Sequence, residues 1–365
     1  MKAIASMATA ALPHSLVADE GSATLLSKMG IASTSFMGAA LGKSSSPTAV
    51  KPSSPSSQTV PSHSQNVMSL PPVPHGNDTL QFLERCHALG AHGIQAQITG
   101  DTAALRARAE QLGMWVEAMI SIRKSTPETL EAAIVNAKEA GCTIARDGLL
   151  GGRRYETFNT LADWNAWVAE SMDKLKMAIP ICDKYKFTLA LENHKDWTID
   201  EYVKLFKTYS SEYFGACLDF GNNISLLDGL METIEAAAPY TKATHFKDMA
   251  VEQYGDGFLM SEVPLGTGVL DLSKAVAVVQ KANPKVHLAL EMITRDPLKV
   301  PCLKDHYWIT FPDRNGIFLA RTLRFVNERK SATPLPTPEE LPHAEHASVE
   351  EENVKACFKY AQERA

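Results

Sequence analysis

The chain is 365 residues long with 45% hydrophobic and 21% charged residues, which excludes a wholly disordered, collagen-like or coiled-coil protein. Lys+Arg of 36 against Asp+Glu of 42 give a net charge of −6, without the basic excess that duplex nucleic acid recruits. No apolar run reaches the ~20 residues needed to cross a bilayer, so neither nucleic acid nor membrane is an expected partner.

The chain opens with small, weakly apolar residues behind Lys2 and runs through Ser15-Leu16-Val17-Ala18 to Asp19-Glu20. This reads as an export signal, similar to the latter part of a twin-arginine signal, and sets residues 1–25 apart. The expectation is a periplasmic or exported protein, with a frayed N-terminus on a cytoplasmic one as the alternative. Residues 43–75 are dominated by Ser and Pro. Such composition cannot repay ordering entropy and is expected to form a flexible insertion, either a mobile cover or a stretch with no catalytic duty.

Eight short apolar runs are candidate strands, at 29–36, 93–98, 114–121, 142–145, 188–192, 214–219, 242–245 and 286–291. Each pairs with a helical pattern of apolar residues three and four apart, at 79–89, 102–112, 126–140, 161–185, 198–209, 230–238, 272–281 and 316–327. Thr126-Pro127-Glu128 and Asp271 supply helix starts, and Gly90, Gly113 and Gly141 fall just past helix ends. Residues 250–268 read as a Gly-rich loop. Residues 331–365 read as a linker followed by a short appended helix at 349–364.

Eight βα units predict an α/β protein closed as a (β/α)8 TIM barrel over residues 26–330, with the insertion after strand one and a C-terminal helical extension. A doubly wound open sheet is the rival, but no Gly-x-Gly-x-x-Gly follows the first strand. The six cysteines form no C-x-x-C pair and are expected to be small core residues.

In such a barrel chemistry sits at the C-terminal ends of the strands. Glu192, Asp219, His245 and Glu291 occupy those ends on strands five to eight, at separations of 27, 26 and 46 residues. Three converging carboxylates repel one another unless a cation compensates, and a divalent ion would do so. Oxygen ligands with one imidazole favour Mn²⁺, with Mg²⁺, Co²⁺ or Zn²⁺ as alternatives. His194, Lys247, Arg146, Arg295, Glu117 and Gln97 lie at or just beyond strand ends and are candidate substrate contacts, and Trp308 offers a flat apolar face on which a sugar can pack.

The runs Leu191-Glu192-Asn193-His194, Leu218-Asp219-Phe220-Gly221-Asn222, His245-Phe246-Lys247-Asp248 and Leu290-Glu291 resemble the xylose isomerase-like barrel superfamily, in its sugar isomerase and epimerase branch. The resemblance implies metal ligands at Glu192, Asp219, His245 and Glu291, with Glu192 and Glu291 as the proton-transferring pair. It implies a divalent-metal-dependent isomerase or epimerase of a small carbohydrate, removing a proton next to a carbonyl through a metal-stabilised enediolate. Asn222 stands where epimerases of this branch commonly carry histidine, and Lys247 looks more like the dehydratase side. The alternative is therefore a metal-dependent lyase or dehydratase acting on a keto-sugar or oxidised glycoside. A zinc-cluster DNA-repair phosphodiesterase and a non-catalytic sugar-binding protein are weaker rivals, and a homo-oligomer is left open.

Overall fold

The computed structural model describes residues 25–37 and 78–364. The export-signal segment and the insertion at 43–75 lie outside the described residues. Eight parallel strands close into a barrel: β1 (Met29–Ala32), β2 (Gly93–Ala96), β3 (Trp115–Met119), β4 (Ile144–Asp147), β5 (Thr188–Glu192), β6 (Phe214–Asp219), β7 (Thr241–Phe246) and, eighth in the barrel, Leu288–Leu290. That last strand pairs with both β1 and β7, so no barrel edge is left open.

Seven helices alternate with the strands: α1 (Thr79–Ala88), α2 (Thr102–Leu112), α3 (Pro127–Glu139), α4 (Leu161–Tyr185), α5 (Ile199–Thr208), α6 (Leu230–Ala237) and α7 (Leu272–Ala282). Local chemistry sets their ends. Thr126 and Thr198 close capping boxes, and Asp78, Asp101, Thr160 and Asp271 accept from backbone N–H groups of the first turn. Gly113 terminates α2 at φ 64°, a left-handed conformation that a side chain would disfavour.

Of the stretch 250–268 read as a loop, only 264–268 lie outside strands and their turn. The rest carries most of an antiparallel hairpin, β8 (Asp248–Tyr254) and β9 (Gly257–Val263), with the Leu288–Leu290 strand following as β10 and a third strand of the same small sheet, β11 (Leu298–Val300), pairing with β9. The Gly255-Asp256 pair turns the chain between alternating apolar positions, a hairpin signal outweighed in the sequence by its glycines. Met249, Val251, Phe258, Met260, Leu298 and Val300 build a second core on this sheet. Helix α8 (Gly316–Arg329) lays Val326 into that core.

The C-terminal helix α9 (His343–Gln362) begins earlier than its apolar pattern suggests. Its Val354, Cys357, Phe358 and Ala361 join the main barrel core, and Glu351 pairs with Arg85 of α1 at 3.1 Å. The extension is thus part of the barrel's packing. All six cysteines are free and buried, as expected of core residues. No helix among the described residues is long and apolar enough to cross a membrane.

Strand alternation decides what faces the barrel interior. Ala190, Cys217 and Ala243 pack together against Ile144. Two residues further along the same four strands stand Glu192, Asp219, His245 and Arg146, all buried. Small residues below therefore leave room for long polar ones above.

Candidate metal centre

Glu192, Asp219, His245 and Glu291 converge as expected, each offering one ligand atom, with all four atoms within 4.8 Å of one another. His245 Nδ1 faces Glu291 Oε1 at 3.2 Å, Glu192 Oε1 at 3.3 Å and Asp219 Oδ2 at 3.9 Å. Each carboxylate divides its oxygens between the protein and this centre. Glu192 gives Oε2 to Arg146, Glu291 gives Oε2 to Lys247, and Asp219 Oδ1 accepts the backbone N–H groups of Gly221 and Asn222 at 2.8 and 2.7 Å. The Asn193 amide pins Asp219 further, accepting from its N–H and donating to its carbonyl.

The residues fit a divalent ion. His245 Nδ1 is buried without a hydrogen bond, among oxygen donors and with no thiolate in the set. Charge compensation is already partly built in, because Arg146 pairs with Glu192 and Lys247 with both Asp219 and Glu291. Lys247 Nζ lies 2.7 Å from Asp219 Oδ2 and 3.7 Å from Glu262 Oε1.

The electrostatics follow from this crowding. Burial would raise Glu192 and Glu291, but Arg146 and His245 outweigh it at the first, and His245 and Lys247 at the second, holding both carboxyls well below the usual range. Asp219 is raised, burial outweighing the pull of Lys247. Burial opposes a charged His245, yet Glu291 and Glu192 push it up to about 9. A proton on that imidazole supplies positive charge where an ion would otherwise do so.

The candidate substrate contacts separate into groups. Arg146 is fully buried and holds Glu192, so it positions a ligand. Glu117 is 2% exposed, and both of its oxygens are occupied, by Gln95 Nε2 at 3.0 Å and by His287 Nδ1 at 2.9 Å. It supports the site from below. Trp308 donates its indole N–H to the Cys302 carbonyl at 3.0 Å and packs on the second core. Gln97 directly follows β2, and its backbone carbonyl accepts from the Thr79 hydroxyl at 2.8 Å. Lys247 stands at the centre. His194 is half-buried, its Nδ1 bonded to the Leu150 carbonyl at 2.8 Å, and burial pushes it down to about 3, which keeps the ring neutral. Arg295 grips Glu262 through Nη2 and Nε at 2.6 and 3.2 Å.

Three residues, Gln95, Glu262 and Lys195, escaped the sequence reading, and Asn222 entered it only as a departure from the epimerase pattern. Gln95, in the middle of β2, accepts at 2.6 Å from His245 Nε2; an amide in an otherwise apolar strand was the available signal. Asn222 donates to Glu192 Oε1 at 3.3 Å and to the Asn193 carbonyl at 3.1 Å. Glu262 enters on β9, within the segment read as a loop. Lys195 is buried with φ 68°, and burial together with Lys247 and Arg295 pushes it down to about 8.

A closed eightfold barrel with an oxygen-rich cluster for a divalent cation at the carboxyl ends of strands five to eight defines a metal-binding (β/α)8 protein. The sequence profile of the xylose isomerase-like TIM barrel family matches residues 83–309, and the chain belongs to that family. No curated protein matches the sequence. Among solved structures, one of L-ribulose 3-epimerase is 14% identical with a TM-score of 0.50, over 92% of this chain and 95% of that one. A xylose isomerase-like TIM barrel protein from Mycobacterium smegmatis in complex with magnesium is 16% identical with a TM-score of 0.48, over 70% and 94%. The probable 3-DHS dehydratase of petrobactin synthesis from Bacillus anthracis is 14% identical with a TM-score of 0.47, over 65% and 94%. At 14% identity the likeness to the epimerase structure is one of fold.

Proposed function

We propose that the protein is a divalent-metal-dependent enzyme that moves a proton at a carbon next to the carbonyl of a small carbohydrate, as an isomerase or epimerase. The observation that carries this reading is the convergence of Glu192 and Glu291, from different strands, on His245 Nδ1 at 3.3 and 3.2 Å. A divalent ion held by Glu192, Asp219, His245 and Glu291 would act as a Lewis acid on the substrate's oxygens.

The chain's own groups divide the remaining work. Arg146 fixes Glu192 and has no proton to give at neutral pH, so Glu192 stays an anion that accepts. Glu291 accepts from Lys247 Nζ, whose ammonium Asp219 and Glu291 hold protonated, so Lys247 offers a fixed hydrogen bond and Glu291 is the second proton carrier. Two carriers from different strands allow removal from one face and delivery to another, or to the neighbouring carbon.

The same Lys247 favours a second reading, a lyase or dehydratase in which the ammonium hydrogen-bonds a departing hydroxyl. The Asn222 side chain, turned toward Glu192 Oε1 and the Asn193 carbonyl, brings no titratable group to the position where epimerases commonly use histidine.

The test is metal analysis of the purified protein, followed by NMR screening of ketoses and keto-glycosides in D₂O with Mg²⁺, Mn²⁺ or Zn²⁺ added. Deuterium appearing beside the carbonyl without loss of water supports the isomerase; a dehydrated product supports the lyase. Full activity of a Glu291→Gln variant that still binds metal would end both readings.

A further inference from the structure

A chain of buried hydrogen bonds runs from the metal centre to the floor of the barrel. His245 Nε2 lies 2.6 Å from Gln95 Oε1, Gln95 Nε2 donates to Glu117 Oε2 at 3.0 Å, and Glu117 Oε1 lies 2.9 Å from His287 Nδ1. His287 is half-exposed and lies flat against Trp115, ring centroids 4.3 Å apart and planes 1° from parallel. The indole fits because Gly93 and Gly30 leave it space; a Cβ on either would lie 1.9 or 2.3 Å from its atoms.

We propose that Glu117, acting through Gln95, selects the tautomer of His245 that leaves Nδ1 free to bind the ion. A primary amide has one donating end and one accepting end, whereas a carboxylate only accepts. Glu117 therefore draws the NH₂ of Gln95 toward itself and turns Oε1 toward the imidazole. Oε1 in turn accepts only, so Nε2 of a neutral His245 carries the hydrogen, and the lone pair falls on Nδ1 among the three carboxylates. A flipped Gln95 would present its NH₂ to Nε2 and place the hydrogen on Nδ1, where the ion has to sit. His287, stacked on Trp115, holds the second oxygen of Glu117 and with it the plane of the carboxylate. Gln95, Glu117 and His287 are positioning residues in this account, since their hydrogen bonds are made to one another and to His245. The proposal rests on the reading of the four-residue cluster as an ion site.

The experiment uses the full chain labelled with ¹⁵N-histidine, as wild type, Glu117→Gln and Gln95→Met, with Zn²⁺ affinity measured by competition titration. Wild type should bind Zn²⁺ and show one hydrogen-bonded Nε2–H resonance for His245. Glu117→Gln keeps the shape but lets the Gln95 amide turn either way. It should lose roughly 10- to 100-fold in Zn²⁺ affinity, with the Nε2–H resonance shifted or split. Gln95→Met should lose a similar amount and expose Nε2–H to exchange. Unchanged affinity and resonance in the folded variants would overturn the proposal. So would a fall in affinity with an unmoved Nε2–H resonance, which would mark a packing role alone. Wild type that binds neither Zn²⁺ nor Mg²⁺ would overturn the ion site instead; in that case nitrogen couplings of the ion-free protein at pH ~10 still decide the relay, supporting it if Nε2 bears the hydrogen and overturning it if Nδ1 does.

Discussion

Lys247 Nζ stands 2.7 Å from Asp219 Oδ2, so one carboxylate of the metal cluster has an ammonium partner independently of any ion. The same ammonium bonds Glu291 Oε2, and both acids are buried with it. Removing one partner from a buried ion pair commonly costs about 3–5 kcal/mol, because the remaining charge is left uncompensated. A Lys247→Met variant should therefore melt well below wild type when free of metal, and Mg²⁺ or Zn²⁺ should recover more of its melting temperature than they add to wild type. Equal ion-induced shifts in the two proteins, read by thermal denaturation, would contradict this arrangement of charges.

Asp196 gives a pH dependence. Its Oδ1 accepts the backbone N–H groups of His194 and Trp197, while its Oδ2 is buried without a hydrogen bond. Burial pushes the carboxyl up to about 7 from its ordinary 3.8. Between those two values the folded chain holds a proton that the unfolded chain releases, so stability falls as pH rises from about 4 to 7. Asn at this position keeps the backbone hydrogen bonds without the charge. Asp196→Asn should flatten the decline by roughly 1–3 kcal/mol across the window. Part of the slope should remain, because Asp147 is also pushed up to about 7 by burial. Urea titrations at pH 5 and pH 8 provide the measurement.

Gly93 is set by close approach. A methyl group there would lie 1.9 Å from the Trp115 indole, and the indole cannot move without leaving His287. Gly93→Ala should cost about 1–3 kcal/mol or more, as overpacking of a filled core does. It should also weaken Zn²⁺ binding by disturbing the plane of Glu117. A wild-type denaturation midpoint would remove the indole from the barrel floor.

Arg154 joins the barrel's upper loops to the segment after β11. Its guanidinium covers the Trp164 and Phe311 rings at 3.6 and 4.3 Å, donates to the Asp196 carbonyl at 3.1 Å and to the Thr310 hydroxyl at 3.2 Å, and pairs with Glu201 at 2.6 Å. A lysine cannot reproduce a planar fork with these contacts. Arg154→Lys should lose about as much stability as Arg154→Met, roughly 2–4 kcal/mol as for a broken buried network; a stable lysine variant in denaturant melts would show that charge alone suffices.

The eight strands and the four converging side chains were legible in order because each depends on local pattern. Glu192 and Asp219 end their strands, His245 lies one residue before the end of β7, and Glu291 directly follows β10. Once eight βα units close, residues at those positions have to meet. Candidate contacts were read less well where one loop or one strand face was undecided. Trp308 lies at the expected chain position, but its ring packs on the second core. The hairpin of β8 and β9 was hidden by glycines that serve its turn, and with it Glu262.

Sequence by itself determined the periodic elements, the closure they imply and the charge and ligand types at the strand ends, since these follow from residues within a few positions of one another. Tertiary structure alone decided what those ligands lean on. Gln95 and His245 are 150 positions apart, and Glu117 and His287 are 170 apart. No local pattern encodes such contacts. They exist because barrel closure removes the interior from water, so that a buried donor or acceptor gains by finding a partner across the ring.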